Sequence, residues 1–232
     1  LTNSACKAAE KSLTLLRANP EQNASHLAKD GPQSEELLKP IFMGCSTRNA
    51  KVVAISLGSL QRLIGIKAVP GSMIPAIVSI MGDSLSQGVD IQLKVLQTLL
   101  SLLTNYPDVH DELLGDALLL CFRLQDSRIA VVSSTAAATL RQLVMFVFDK
   151  VVDLEKPGAK GPEMPLVPTQ LPDGSTESLH PSVKDAFSVF EDLCLLANSE
   201  RPNFLKLQAL PKTFALELIE SVLTNYHALF RK

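Results

Sequence analysis

One string of eleven residues occurs twice in this chain. Residues 96–106 read LQTLLSLLTNY, and residues 216–226, about 120 positions later, read LELIESVLTNY. Leu96, Leu99, Leu102 and Leu103 correspond to Leu216, Ile219, Val222 and Leu223, after which Thr-Asn-Tyr repeats unchanged. Apolar residues three and four apart line one face of a helix, and each copy is expected to break at its turn-forming Asn. A chain that makes the same helix end twice is expected to be built from stacked helical units. Such proteins present surfaces; they rarely enclose a catalytic pocket.

The same spacing recurs along most of the 232 residues. Helices are expected over 4–18, 34–43, from Asn49 as N-cap through Val53, Leu57, Leu60 and Ile64, and over 73–85 with Pro75 in the first turn. Others follow along Leu93, Leu96, Leu100 and Leu103, from Asp108 or His110 to Leu124, over 127–152, over 182–198 and over 213–230. Residues 135–139, TAAAT, form a low-bulk patch that would admit a close neighbour. Hydrophobic residues make up 46% with no Trp and two Tyr, a composition that suits helix packed on helix. Residues 155–181 hold six Pro and three Gly without a stripe and read as an exposed, disordered linker. The expected fold is all-α, with Leu60, Ile64, Leu96, Leu103, Ala137, Leu140, Leu143 and Leu223 in its core.

A formal net charge of −2 gives no global field towards nucleic acid. Cys6, Cys45, Cys121 and Cys194 are scattered without a CxxC pair and read as free, buried thiols of a reducing compartment. The four His are too dispersed for zinc-ligand spacing. The sequon at Asn23 would matter only in a secreted chain, and no secretory apolar segment is present. The first residue is not Met, which reads as a trimmed or internal start. No uninterrupted apolar run reaches the roughly 18–20 residues of a membrane span, so the chain is expected to be soluble, with any membrane link peripheral.

Chemistry-bearing strings are few. Gly82-Asp83-Ser84-Leu85 spells the GDSL of an esterase family, but it follows a helical run and no DxxH or GxND lies downstream; a helix end with a polar turn explains the same letters. His110-Asp111-Glu112 could serve acid–base or metal chemistry, whereas acidic residues in a first turn more simply complement the helix dipole. No Walker loop or GxGxxG supports nucleotide binding. No catalytic residue, cofactor site, metal site, nucleic-acid partner or small-molecule substrate is expected. Arg48, Lys51, Arg62 and Lys67 gather on and around the third helix with no acidic residue between them. They are the candidate contacts for an acidic partner or a membrane headgroup layer, against the plainer reading of a solvated helix face.

Seven strings carry a resemblance: PIFMGC (40–45), LQRL (60–63), VHDELL (109–114), LCFRL (120–124), TAAATLRQLV (135–144), DAFSVFEDLCLL (185–196) and TFALELIESVL (213–223). In this order they resemble the N-terminal region of the monensin-sensitivity, or Mon-two, family, relatives of the large Arf guanine-nucleotide exchange factors of the Golgi. The resemblance implies a dimerisation and cyclophilin-binding (DCB) domain over 1–154, a linker over 155–181 and the start of an upstream-homology region over 182–232. It further implies an armadillo-like right-handed superhelix of α-hairpins and no exchange activity. The implied role is a scaffold in traffic between the trans-Golgi network and endosomes, cytoplasmic and peripheral on those membranes. Dopey-type scaffold proteins, Arf-like small GTPases and self-association are the implied partners. No family motif assigns individual contact residues.

Overall fold

The computed structural model describes residues 2–18, 24–156, 164–171 and 173–231. Its elements are α1 (Thr2–Ala18), α2 (Ala24–Leu27), α3 (Pro32–Cys45), α4 (Ala50–Gly65), α5 (Ile74–Ser84), α6 (Val89–Asn105), α7 (Asp111–Gln125) and α8 (Ala130–Glu155). There follow a short hairpin, β1 (Val167–Gln170) and β2 (Thr176–Leu179), and then α9 (Pro181–Ala197) and α10 (Lys212–Tyr226). The fold is all-α with helices as its repeating unit, as the periodicity predicts. The chain divides into two compact units, Leu1–Tyr106 with Leu124–Thr135, and Pro107–Arg123 with Ala136–Lys232.

In the first unit the helices start where local chemistry dictates. Asn49 Oδ1 accepts the N–H groups of Lys51 (3.1 Å) and Val52 (3.4 Å), satisfying donors that the first turn of α4 leaves open. Pro75 occupies the first turn of α5, where its missing N–H is not needed. Val53, Leu57, Leu60 and Ile64 of α4 are buried against α6, whose own buried stripe is Ile91, Val95, Leu96, Leu99, Leu102 and Leu103. Leu93 and Leu100, expected on that stripe, are only half-buried. Each buried Leu or Ile contributes about 1.5–3 kcal/mol relative to exposure. Tyr106 closes α6: its hydroxyl accepts the Val69 N–H at 3.0 Å and donates to the Val69 carbonyl at 3.1 Å.

In the second unit, Leu114, Leu118 and Cys121 of α7 and Leu140, Leu143, Val144 and Val147 of α8 are buried, as are Val189 and Leu193 of α9 and Leu218 and Val222 of α10. Aromatic rings join α8, α9, α10 and the turn Leu229–Arg231: Phe148 stacks on Tyr226 at 5.4 Å and Phe190 lies 4.9 Å from Phe230. The Tyr226 hydroxyl has two acceptors for its one proton, Asp149 Oδ1 at 2.7 Å and the Met145 carbonyl at 2.9 Å. Buried Asp192 organises the loop between α9 and α10 by accepting the N–H groups of Asn203, Phe204 and Leu205 at 2.7, 2.8 and 2.6 Å. Gly115 lets that loop approach α7, since a Cβ there would lie 3.3 Å from the Phe204 carbonyl oxygen.

Several expectations are corrected. The repeated Asn does stand at a helix end, as expected, since α6 stops at Asn105 and α10 one residue beyond Asn225; the departures lie elsewhere. Asn105 and Asn225 both lie in the last turn and donate to the carbonyls of Ser101 and Ser221, each at 2.8 Å. Leu223 is 42% exposed and Leu216 55%, although their counterparts Leu103 and Leu96 are buried, because the buried face of α10 is made by Phe214, Ala215, Leu218, Val222 and Tyr226. Ala137 is half-buried, and the buried position beside it is Ala136. Cys45 and Cys121 are buried thiols, but Cys6 and Cys194 are exposed. Within 155–181, residues 167–170 and 176–179 pair as an antiparallel hairpin in which Val167 faces Leu179 and Gln170 faces Thr176. Asp173 Oδ1 accepts the Ser175 N–H at 2.9 Å in its turn, and Gly174 has φ 85°, a conformation suited to glycine. Residues 157–163 and 172 of that stretch, and Asn23 of the sequon, lie outside the described residues. Helix α8 is long and apolar enough to cross a membrane by length and composition. Its Val132, Ala136, Leu140, Leu143, Val144, Val147 and Phe148 are buried within the protein, which marks it as a core helix.

Candidate functional site

Helices α1, α3 and α4 build a groove in the first unit. α3 packs against both others and is held to each by a specific device. Pro40, inside α3, has no N–H for the carbonyl of Glu36 one turn earlier. The Ser12 hydroxyl of α1 donates to that carbonyl at 2.6 Å instead. On the other side, Gly44 of α3 meets Ser56 of α4 so closely that any Cβ would collide with the serine hydroxyl. α3 thus forms the floor, and α1 and α4 rise as walls.

The groove has a volume of about 520 Å³ and an apolar lining. Leu37, Pro40, Ile41 and Gly44 come from the floor, Ala5, Cys6, Ala9, Leu13 and Leu16 from α1, and Val52, Ile55, Ser59, Arg62 and Leu63 from α4. Leu13 is 47% exposed, Leu16 37% and Ile55 70%. Sequence reading missed these three. The signal was available in Ile55, which stands outside the Val53–Leu57–Leu60–Ile64 stripe of α4 and shares a second apolar edge with Val52 three residues earlier and Leu63 eight later.

The four predicted basic residues are all exposed, and among the described residues none is in a salt bridge. They do not form one cluster. Lys51 and Arg62 are eleven residues apart on α4, which returns them to nearly the same face. Arg48 precedes the N-cap and Lys67 follows the C-cap, both with left-handed backbone at φ 57° and 54°. The sixteen residues of α4 between these two span roughly 24 Å. Of the four, only Arg62 lines the groove, and Lys51 shares its side of α4 by the eleven-residue spacing.

The other strings resolve into structure. Ser84 of the GDSL string is buried and donates to the Ile80 carbonyl at 2.8 Å, as a helix end requires. His110 Nδ1 lies 2.6 Å from Asp185 Oδ2, while Asp185 Oδ1 accepts the Asp111 N–H at 2.9 Å. Asp111 Oδ1 in turn meets Lys184 Nζ at 2.5 Å. Lys150 Nζ donates to the carbonyls of Pro107 (2.6 Å) and Val109 (3.3 Å), and its burial lowers its pKa. Asp111 and Glu112 also occupy the first turn of α7, where they complement its dipole. This is a part-buried latch in the second unit, centred on buried Asp185, and no group of His, Cys, Asp and Glu among the described residues could hold a metal ion.

Comparison with known proteins matches two successive family models. Residues 2–155 match the Mon2/Sec7/BIG1-like dimerisation and cyclophilin-binding domain, and residues 182–232 match the Mon2/Sec7/BIG1-like HUS domain. Protein MON2 homolog of Homo sapiens is 35% identical over 226 residues, covering 97% of this chain and 13% of that protein. The Xenopus laevis homolog is 34% identical over the same shares. That of Drosophila melanogaster is 35% identical over 201 residues, 85% of this chain and 12% of its own. The chain spans about 13% of the length of the first two curated relatives. By both domain models and by identity sustained along nearly its whole length, the chain belongs to the Mon2/Sec7/BIG1-like family.

Proposed function

We propose that this chain is a non-catalytic scaffold and interaction segment of a peripheral membrane protein that regulates vesicle traffic between the trans-Golgi network and endosomes. It acts by binding partner proteins from the cytoplasmic side. The observation that carries this reading is the open apolar groove of α1, α3 and α4, in a chain whose family domain is described as a dimerisation and cyclophilin-binding domain. An apolar surface left open by an otherwise packed core marks a place where another macromolecule fits. Dopey-type scaffolds, Arf-like small GTPases and a second copy of the domain are the partners that the family resemblance supports. The domain runs over 1–154, a connecting segment over 155–181 and further helices of an armadillo-like right-handed superhelix over 182–232.

Full-length protein carrying Ile55→Asp should lose capture of at least one of these partners and its Golgi and endosomal localisation, with folding unchanged because Ile55 is exposed. Undiminished capture and localisation would remove the groove from the function. A second reading, direct binding of anionic lipid, is favoured by exposed Arg48, Lys51, Arg62 and Lys67, none in a salt bridge among the described residues, with exposed Ile66 beside Lys67. It requires liposome binding that rises with anionic lipid, falls with salt and disappears on reversing those four charges.

A further inference from the structure

The groove is a trench, and its proportions are those of a helix. Its α1 wall runs from Thr2 to Leu16, about 21 Å at the rise of an α-helix. Leu13, Leu16 and Ile55 stand up as its walls, while Pro40 and Ile41 lie lower and less exposed on its floor. A concave apolar channel between two helices offers ridges and grooves to a third helix. It does not offer the protruding apolar face with which a peripheral helix enters a bilayer.

Charge narrows the occupant further. The three helices of the groove, α1, α3 and α4, carry six basic and three acidic residues, in a chain whose net charge is −2, and Glu36 of α3 is already paired with Lys11 and Lys39. Arg62 lines the α4 edge of the channel, and neither it nor Lys51 is in a salt bridge among the described residues.

We infer that this groove docks one amphipathic α-helix of a protein partner, about four turns long, apolar on the docked face and acidic along the edge that meets Arg62 and Lys51. The partner helix presents apolar residues at i, i+3 or i+4, and i+7 to the floor and walls, the helix-in-groove mode of recognition. The inference rests on the scaffold reading above and specifies the element by which a partner engages.

The test uses the whole chain and two synthetic peptides of about 18 residues, long enough to cover the channel. They share one Leu/Ala stripe and are flanked by Glu in one and Lys in the other. Fluorescence anisotropy should show the Glu-flanked peptide binding about ten-fold more tightly, the preference expected of two surface ion pairs. Ile55→Asp should abolish binding of both, and Lys51→Glu with Arg62→Glu should reverse the preference. Circular dichroism and Tm should stay as in the wild type, since all three side chains are exposed. Failure of both peptides, equal binding, or binding that survives Ile55→Asp overturns the inference. So does a dimer in sedimentation that Ile55→Asp dissociates, because a second copy then fills the groove. Phosphatidylserine vesicles that bind through Ile55 while the peptides do not would likewise overturn it. Peptide failure alongside undiminished capture of a folded partner would discard the helix and leave the scaffold reading standing.

Discussion

His110 Nδ1 lies 2.6 Å from Asp185 Oδ2, and the two residues are 75 positions apart in the chain. The Asp185 side chain is 1% exposed, and its second oxygen accepts the Asp111 N–H, so the carboxylate fastens the start of α7 to the start of α9. Asp185→Ala leaves two part-buried donors without this acceptor, at about 1 kcal/mol each or somewhat more. Urea unfolding of the single variants and of the His110→Ala, Asp185→Ala double variant should give a coupling of about 0.5–3 kcal/mol. Additive losses would show that the two groups do not act together.

Ser12 fills a vacancy that Pro40 creates. Ser12→Ala removes the hydroxyl that donates to the Glu36 carbonyl, leaving an acceptor unpaired at about 1–3 kcal/mol. In the Pro40→Ala background the helix supplies its own N–H to Glu36. The serine substitution should then be milder by about 1 kcal/mol, the usual worth of such a bond. Thermal melts of the four chains decide this, and an equal loss in both backgrounds would mean that Ser12 acts through packing alone.

Asp192 holds three consecutive backbone N–H groups and is fully buried. Asp192→Asn keeps one acceptor oxygen and places an amide donor among donors. It should destabilise the second unit by about 2–4 kcal/mol through lost charge-assisted bonds and an unsatisfied amide. Hydrogen exchange should report the change first at Asn203, Phe204 and Leu205; unchanged protection there would contradict the role.

Burial raises the Cys121 thiol from its ordinary 9.0 to about 12 and the Cys45 thiol to about 11. Both pKa values are higher folded than unfolded, so the folded chain keeps protons that the unfolded chain releases. That contribution is complete below about pH 9 and is lost as pH rises towards 11 and 12. Denaturation midpoints should therefore fall through this window. Cys121→Ala should flatten the fall relative to wild type, a difference in which the opposing contribution of Lys150 cancels. Parallel pH profiles would refute it.

Helix positions were legible because burial on one side leaves a period that sequence displays, and the Asn49 cap because its partners are two and three residues away. What neighbours do to a helix is not local. The stripe on α10 matches that on α6 letter for letter in character, yet Leu223 is exposed where Leu103 is buried, since period reveals which face is apolar and not whether anything covers it. The pairing of His110 with Asp185 is equally silent, as nothing in residues 109–114 names a carboxylate 75 positions on. The basic residues were visible, and their spacing along α4 already implied their dispersal, whereas the groove beside Arg62 arises only when three helices meet. The hairpin escaped because four-residue strands carry too little alternation, and the Pro-rich surroundings pointed to a loop; Asp173-Gly174 was the one turn signal present.

The segments matched by two separate family models meet inside one compact unit. α7 and most of α8 share it with α9 and α10, joined by His110 with Asp185, Arg141 with Glu217, and Tyr226 with Asp149. Those bonds are made by side chains and not by the connecting peptide. Two polypeptides, 1–156 and 164–232, mixed or co-expressed, should therefore complement each other into the same unit, as a severed protein does when its core survives the cut. Evolution is correspondingly free to lengthen, shorten or rewrite the connection between them at the small entropic cost of loop length, whereas either polypeptide alone would carry an unfinished core.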